Sequence, residues 1–175
     1  MPDLSELFTR TRIGWLLVVG SLGLLGYVVF GGSDDDKVVL RIKSLASAVE
    51  THEDESIVFR TARINKAFKE GLEPDVTFRA PELPSQNGIR ELSTLAAGAG
   101  QMFGAIHLSV GATDVHVDGA VAHAVSEVTL TSARGNELHG DRRSVRFELH
   151  HASGDWRVSS IDVAPKSGEQ PEARP

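Results

Sequence analysis

The sequence predicts an α+β protein: one N-terminal transmembrane helix, then helices packed on a curved antiparallel sheet. Three observations predict it. Ile13 to Phe30 is a run of 18 residues without a charge. From Val38 to Phe103 the apolar residues recur at helical spacing. Beyond Phe103 their period falls from 3.6 to 2, the change that separates helix from strand. The domain plan follows: a short tail over 1–12, a transmembrane helix over 13–30, an α+β domain over 31–163 and a disordered tail over 164–175.

The run Ile13 to Phe30 matches the ~20 residues that cross a ~30 Å hydrocarbon core. Trp15 and Tyr27 lie near its ends, where amphipathic rings favour the interface. A soluble helix of this length needs a polar face, and this one has none. A cleaved signal peptide is the competing reading, but its apolar core is normally ~7–15 residues. Arg10 and Arg12 precede the span, and Asp34, Asp35 and Asp36 follow it. A short tail that stays inside while the larger domain crosses places that domain outside the cytoplasmic membrane. Gly20, Gly23 and Gly26 form one stripe that permits close helix packing, although glycine is common in membrane helices generally.

Residues 31–175 carry 16 Lys and Arg against 22 Asp and Glu, a net charge of −6. That balance lacks the basic stripe of a nucleic-acid-binding protein. The chain has no cysteine, which excludes disulfides, thiolate metal sites and cysteine nucleophiles.

Ser33 followed by Asp36 reads as a capping box at the start of the first soluble helix, whose apolar stripe is Val38, Ile42, Leu45 and Val49. The charged run His52 to Ser56 interrupts it as a solvated turn. A second helix carries Ile57, Phe59, Ala62 and Phe68 and ends near Gly71. Val76 and Phe78 suggest a short strand, and Pro81, Pro84, Asn87 and Gly88 a loop. A third helix starts at about Ile89, with Leu92, Leu95, Ala96, Ala99, Met102 and Phe103 inward. Gly98 and Gly100 within it imply close packing or fraying.

In the strand-forming half, Ile106, Leu108 and Val110 alternate on one parity and Val115 and Val117 on the other. A one-residue slip near Gly111 is the signature of a β-bulge. Asp118-Gly119 reads as a two-residue hairpin turn. The next strand runs from Ala120 to Thr131, with a turn at 134–136. Val145, Phe147 and Leu149 alternate with Arg146, Glu148 and His150. Gly154-Asp155 turns the chain into Trp156, Val158, Ile161 and Val163, with another slip at Ser159-Ser160.

Three segments in this order resemble the nuclear transport factor 2-like (SnoaL-like, cystatin-like) superfamily. Leu72-Glu73-Pro74-Asp75-Val76 resembles its first strand. Gly88-Ile89-Arg90-Glu91-Leu92 resembles the opening of its third helix. Ser153-Gly154-Asp155-Trp156-Arg157-Val158 resembles its last strand. The resemblance implies an α+β cone. It does not imply one function, because the superfamily holds isomerases, dehydratases, hydrolases and assembly subunits. A single membrane helix before such a domain resembles the inner-membrane assembly subunits of bacterial type IV secretion systems and the membrane-anchored companions of actinobacterial lipid-transfer systems.

The enzymatic branches use pocket tyrosines, and the sole tyrosine here is Tyr27, inside the hydrophobic run. No serine sits in a nucleophile elbow. The reading therefore leans towards a non-catalytic module, single-pass in the cytoplasmic membrane, that binds a protein partner or forms a homo-oligomer. The alternative is a small-molecule binder or isomerase- or dehydratase-like enzyme using the cone, with Asp75, Glu91 or His107 as polar groups; base rates favour a strand-start Asp and a surface Glu. A turn at Asp118-Gly119 pairs His116 with Val121 and Asp114 with His123, which puts Asp114, His116 and His123 on one face. Histidine and carboxylate at such spacing can take a divalent metal. With no second carboxylate in range, no metal and no cofactor is expected. The face reads otherwise as solvated, or as a dimer or partner surface because Val121 and Val125 lie on it. His150 and His151 are adjacent in a strand and point to opposite faces.

Overall fold

Ser33 caps the first helix as its spacing requires. Its Oγ accepts from the Asp36 N–H (3.2 Å), and the Asp36 carboxylate accepts from the Ser33 N–H in return (3.1 Å). The computed structural model describes residues 32–52, 55–134 and 137–166. The transmembrane reading of 13–30 and most of the proposed C-terminal tail lie outside them. Among the described residues no helix is long and apolar enough to cross a membrane.

The elements are α1 Asp34–Val49, α2 Ile57–Gly71, β1 Leu72–Ala80, β2 Leu83–Asn87, α3 Ile89–Phe103, β3 Ala105–Asp118, β4 Val121–Arg134, β5 Glu137–Ala152 and β6 Asp155–Val163. One six-stranded sheet has the order β2-β1-β6-β5-β4-β3. The described residues from Lys37 onward form one compact unit. Its core joins Val38, Ile42 and Leu45 of α1, Ile64 and Phe68 of α2 and Leu92 of α3 to Val76, Ala122, Ala124, Val145, Phe147, Leu149, Trp156 and Val158 of the sheet. The cone is therefore built from helices on one face of a sheet, its inner face, with the other face left outside.

Five expectations need correction. The sheet is mixed, because β1 runs parallel to β6 while every other pair is antiparallel. The stretch that reads as a loop at Pro81–Gly88 holds strand β2. Its residues are nearly all exposed, so no apolar alternation marks it, and Pro84 is tolerated because β2 is an edge.

Ile57 and Phe59 are not core residues; Phe59 is 72% exposed. The buried stripe of α2 is Arg60, Ile64, Phe68 and Gly71. Arg60 takes the first place on it because its guanidinium donates to the Val49 carbonyl at the end of α1 (3.0 Å). On α3, Met102 is 60% exposed and Phe103 is also exposed, while Ser93 is buried. Small residues at 93, 96, 97 and 100 face inward instead. A Cβ on Gly100 would fall 1.4 Å from a guanidinium nitrogen of Arg60, so the close packing expected at this glycine is present. At Gly98 a Cβ would meet nothing.

The bulge near Gly111 is where the parity slip puts it: Val110 pairs with Val128 and Thr113 with Ser126. A second register shift separates Glu148 from Leu149 against β6, with Ser159 the extra residue. The hairpin registers differ from expectation. Asp118 pairs with Val121, so the two loop residues are Gly119 and Ala120, not Asp118 and Gly119. Gly119 alone has a positive φ, of 59°, as the first central residue of a type II′ turn. Likewise Ala152 pairs with Asp155 around Ser153-Gly154, both with positive φ.

Candidate functional site

The proposed ligand residues do not converge. Asp75 is exposed on β1. Glu91, in the first turn of α3, accepts from the Asn87 N–H (2.9 Å) and so braces the start of that helix. His107 lies on β3, with Nδ1 2.7 Å from Glu50 Oε1. The same Glu50 oxygen accepts from the Leu108 N–H (3.0 Å), and the Thr51 N–H donates to the Ile106 carbonyl (2.9 Å). Glu50 and Thr51 thus satisfy the open edge of β3, and His107 belongs to that brace. Along the sheet β1 and β3 are four strand spacings apart, roughly 19 Å at ~4.8 Å each.

The inner face holds a different polar group, one that no motif marks. Leu130 and Val128 point inward on β4, and their partners on β5 are Asp141 and Arg143. Arg143 donates to Asp141 (3.0 Å), to Glu82 at the β1–β2 turn (2.6 Å) and to the Ala164 carbonyl (3.3 Å). Its side chain is 15% exposed. Hydrogen bonds from Arg143 hold both carboxyl groups below their ordinary values, and the same bonds raise Arg143 further. Asp141 Oδ1 is buried without a hydrogen-bond partner. The alternation Asp141-Arg142-Arg143-Ser144-Val145 does carry a signal: Arg143 shares parity with the core residue Val145.

Two arginines of α2 close the helical layer. Arg63 donates to the Ser47, Ala48 and Glu50 carbonyls (3.2, 2.7 and 2.9 Å) and pairs with Glu55 (2.5 Å). α1 has no basic residue in its last turn, and Arg60 and Arg63 supply that charge from the neighbouring helix. The bond from Arg63 lowers the Glu55 pKa, and desolvation lowers that of Arg60.

The outer face carries the hairpin residues. Asp114, His116 and His123 do share it, but in another register. His116 stands opposite His123, and Asp114 opposite Val125. The row continues onto β5, where Glu148 is the partner of His123. Glu148 Oε2 is 4.0 Å from His123 Nδ1, and its Oε1 is 3.3 Å from His150 Nε2. His150 Nδ1 is 3.0 Å from Glu73 Oε1. The next row holds Asp114, Val125, Arg146 and Asp162, the last paired with Arg79 on β1 (3.1 Å). A shallow depression of about 140 Å³ opens beside Val125, Arg146 and Asp162.

This architecture is shared with solved structures. An NTF2-like protein with a cystatin-like fold from Novosphingobium aromaticivorans aligns over 97% of this chain and 94% of its own, with a TM-score of 0.62 and 16% identity. A candidate dehydratase of the NTF2-like family from Streptomyces avermitilis aligns over 75% and 95%, with a TM-score of 0.60 and 16% identity. The association domain of Caenorhabditis elegans CaMKII aligns over 75% and 95%, with a TM-score of 0.57 and 14% identity. No family profile matches the sequence, and neither does any curated protein. The chain thus has the NTF2-like, cystatin-like α+β fold, a fold whose members differ in function.

Proposed function

We propose that this chain is a single-pass, membrane-anchored, non-catalytic binding and assembly module on the outer side of the cytoplasmic membrane. The observation that carries the reading is that Asp75, Glu91 and His107 do not converge: Asp75 is exposed on β1, Glu91 braces the start of α3, and His107 braces the edge of β3. The uncharged run Ile13 to Phe30 supports the anchor, and it takes up the chain's one tyrosine. The outer sheet face, with Val121 and Val125 among paired charges, is the surface offered to a second copy or a protein partner. Likeness to an association domain agrees with a homo-oligomer.

The test is affinity capture of the full chain from detergent-solubilised membranes. The expected result is retention in the membrane fraction after alkaline wash and recovery of a second copy or one stoichiometric partner. Release from the membrane by the wash, or capture of neither, counts against the reading.

A second reading rests on Asp141 Oδ1, buried and unpartnered beside Arg143. The cone would then bind a small polar molecule between Arg143 and the apolar residues Val110, Val128 and Leu130. Similarity to a candidate dehydratase and to a candidate aromatic ring hydroxylase supports it. Ligand binding that is lost in Arg143→Met and kept in Val125→Glu would favour this reading over the first.

A further inference from the structure

The corrected hairpin register creates a pair that the sequence spacing does not reveal. His116 and His123 are directly opposed on the outer face, and Glu148 follows in the same row. Opposed residues of an antiparallel pair have Cβ atoms ~5 Å apart. Two imidazole nitrogens bound to one tetrahedral ion at ~2.05 Å stand roughly 3.3 Å apart. Rotation about χ1 and χ2 brings two rings from the first spacing to the second without moving the backbone.

The third donor is already close. Glu148 Oε2 is 4.0 Å from His123 Nδ1. His150 contacts the other Glu148 oxygen and is itself held by Glu73. Ligands are commonly oriented by such outer hydrogen bonds. Among the described residues no three donors stand at coordinating distance as they are. Closing the set takes only rotation of exposed side chains, since His116 is exposed and His123 is 53% exposed. The chain's lack of cysteine removes the thiolates that compete for soft metals.

We propose that His116 and His123 chelate a divalent late-transition-metal ion, with Glu148 as third ligand and water in a fourth position. An imidazole–carboxylate set of this kind suits zinc.

The probe is zinc chloride, titrated into the untagged full chain in detergent and followed by thermal melting and calorimetry. The expected result is one ion per chain and a melting temperature raised by about 5 °C at saturation. His116→Ala and His123→Ala each remove that rise. Both residues are exposed, so the metal-free melting temperature should move by no more than about 2 °C. Glu148→Gln weakens binding by at least about tenfold, because a direct ligand contributes no less than the outer groups whose loss costs about 10–100-fold. His107→Ala leaves the titration unchanged. No rise at millimolar zinc, or a rise that survives in both histidine variants, overturns the site. Full affinity in Glu148→Gln overturns the three-ligand set.

Discussion

The inner and outer faces of the same strands hold their charges in opposite ways. On the inner face Arg143 is 15% exposed and ties two carboxylates and a carbonyl into one fixed group. On the outer face Glu148 is shared between two half-exposed histidines. An ion pair removed from water is costly to break from one side, whereas an exposed pair contributes little and weakens with salt. The inner group therefore stabilises the cone, and the outer one is free to meet something else. Stability thus resides inside, which leaves the outer face for the recognition proposed above.

Substitutions should separate the two faces, the largest effects coming from within. Arg143→Met leaves Asp141 and Glu82 without their cation. Breaking a buried pair costs ~3–5 kcal/mol, but the Glu82 side chain is half exposed, so a loss of about 2 kcal/mol is expected in urea unfolding.

The pH dependence has a definite sign. Arg143 lowers Asp141 and Glu82 from 3.8 and 4.5. The folded chain then binds fewer protons than the unfolded one in acid. The stabilisation is complete above those ordinary values and is lost as pH falls through the lowered ones. Acid unfolding followed by circular dichroism should show this limb, and Arg143→Met should flatten it.

Gly100→Ala pushes a methyl group into the Arg60 guanidinium, which is 7% exposed and bonded to the end of α1. Overpacking of this kind costs about 1–3 kcal/mol. Arg63→Ala frees three carbonyls at and just beyond the end of α1 together with Glu55, for about 1–2 kcal/mol. Outside, Glu73→Gln removes one carboxylate from His150 and should change stability by less than ~1 kcal/mol, an effect that disappears at high salt. A loss at Glu73 as large as that at Arg143 would break the comparison.

Local signals made much of the fold legible. The Ser33–Asp36 box, the parity slips at Gly111 and Ser159 and the end of α2 at Gly71 are each written in a few neighbouring residues. The misses needed distant partners. β2 has no buried face, so nothing in Leu83–Asn87 alternates. Arg60 fills a core position because the carbonyl it bonds belongs to another helix. Arg143 is an inward residue because of its register with Val128, and its charge makes periodicity misread it. At the hairpin, Asp-Gly was recognisable as a turn signal. Which two residues form the loop depended on Gly119 taking the first central position, and that one-residue choice exchanged the partners of His116 and His123. The candidate site was legible as a face but not as a set of neighbours.

The claim that the outer face is the working surface is tested most directly by sedimentation velocity of the full chain in detergent, alone and as Val125→Glu. Val125 is exposed on that face beside Arg146. The unaltered chain should sediment as an oligomer at micromolar concentration, or as a complex with its captured partner, and Val125→Glu as a folded monomer. An unaltered chain that stays monomeric and partnerless, or a Val125→Glu oligomer indistinguishable from it, would contradict the account.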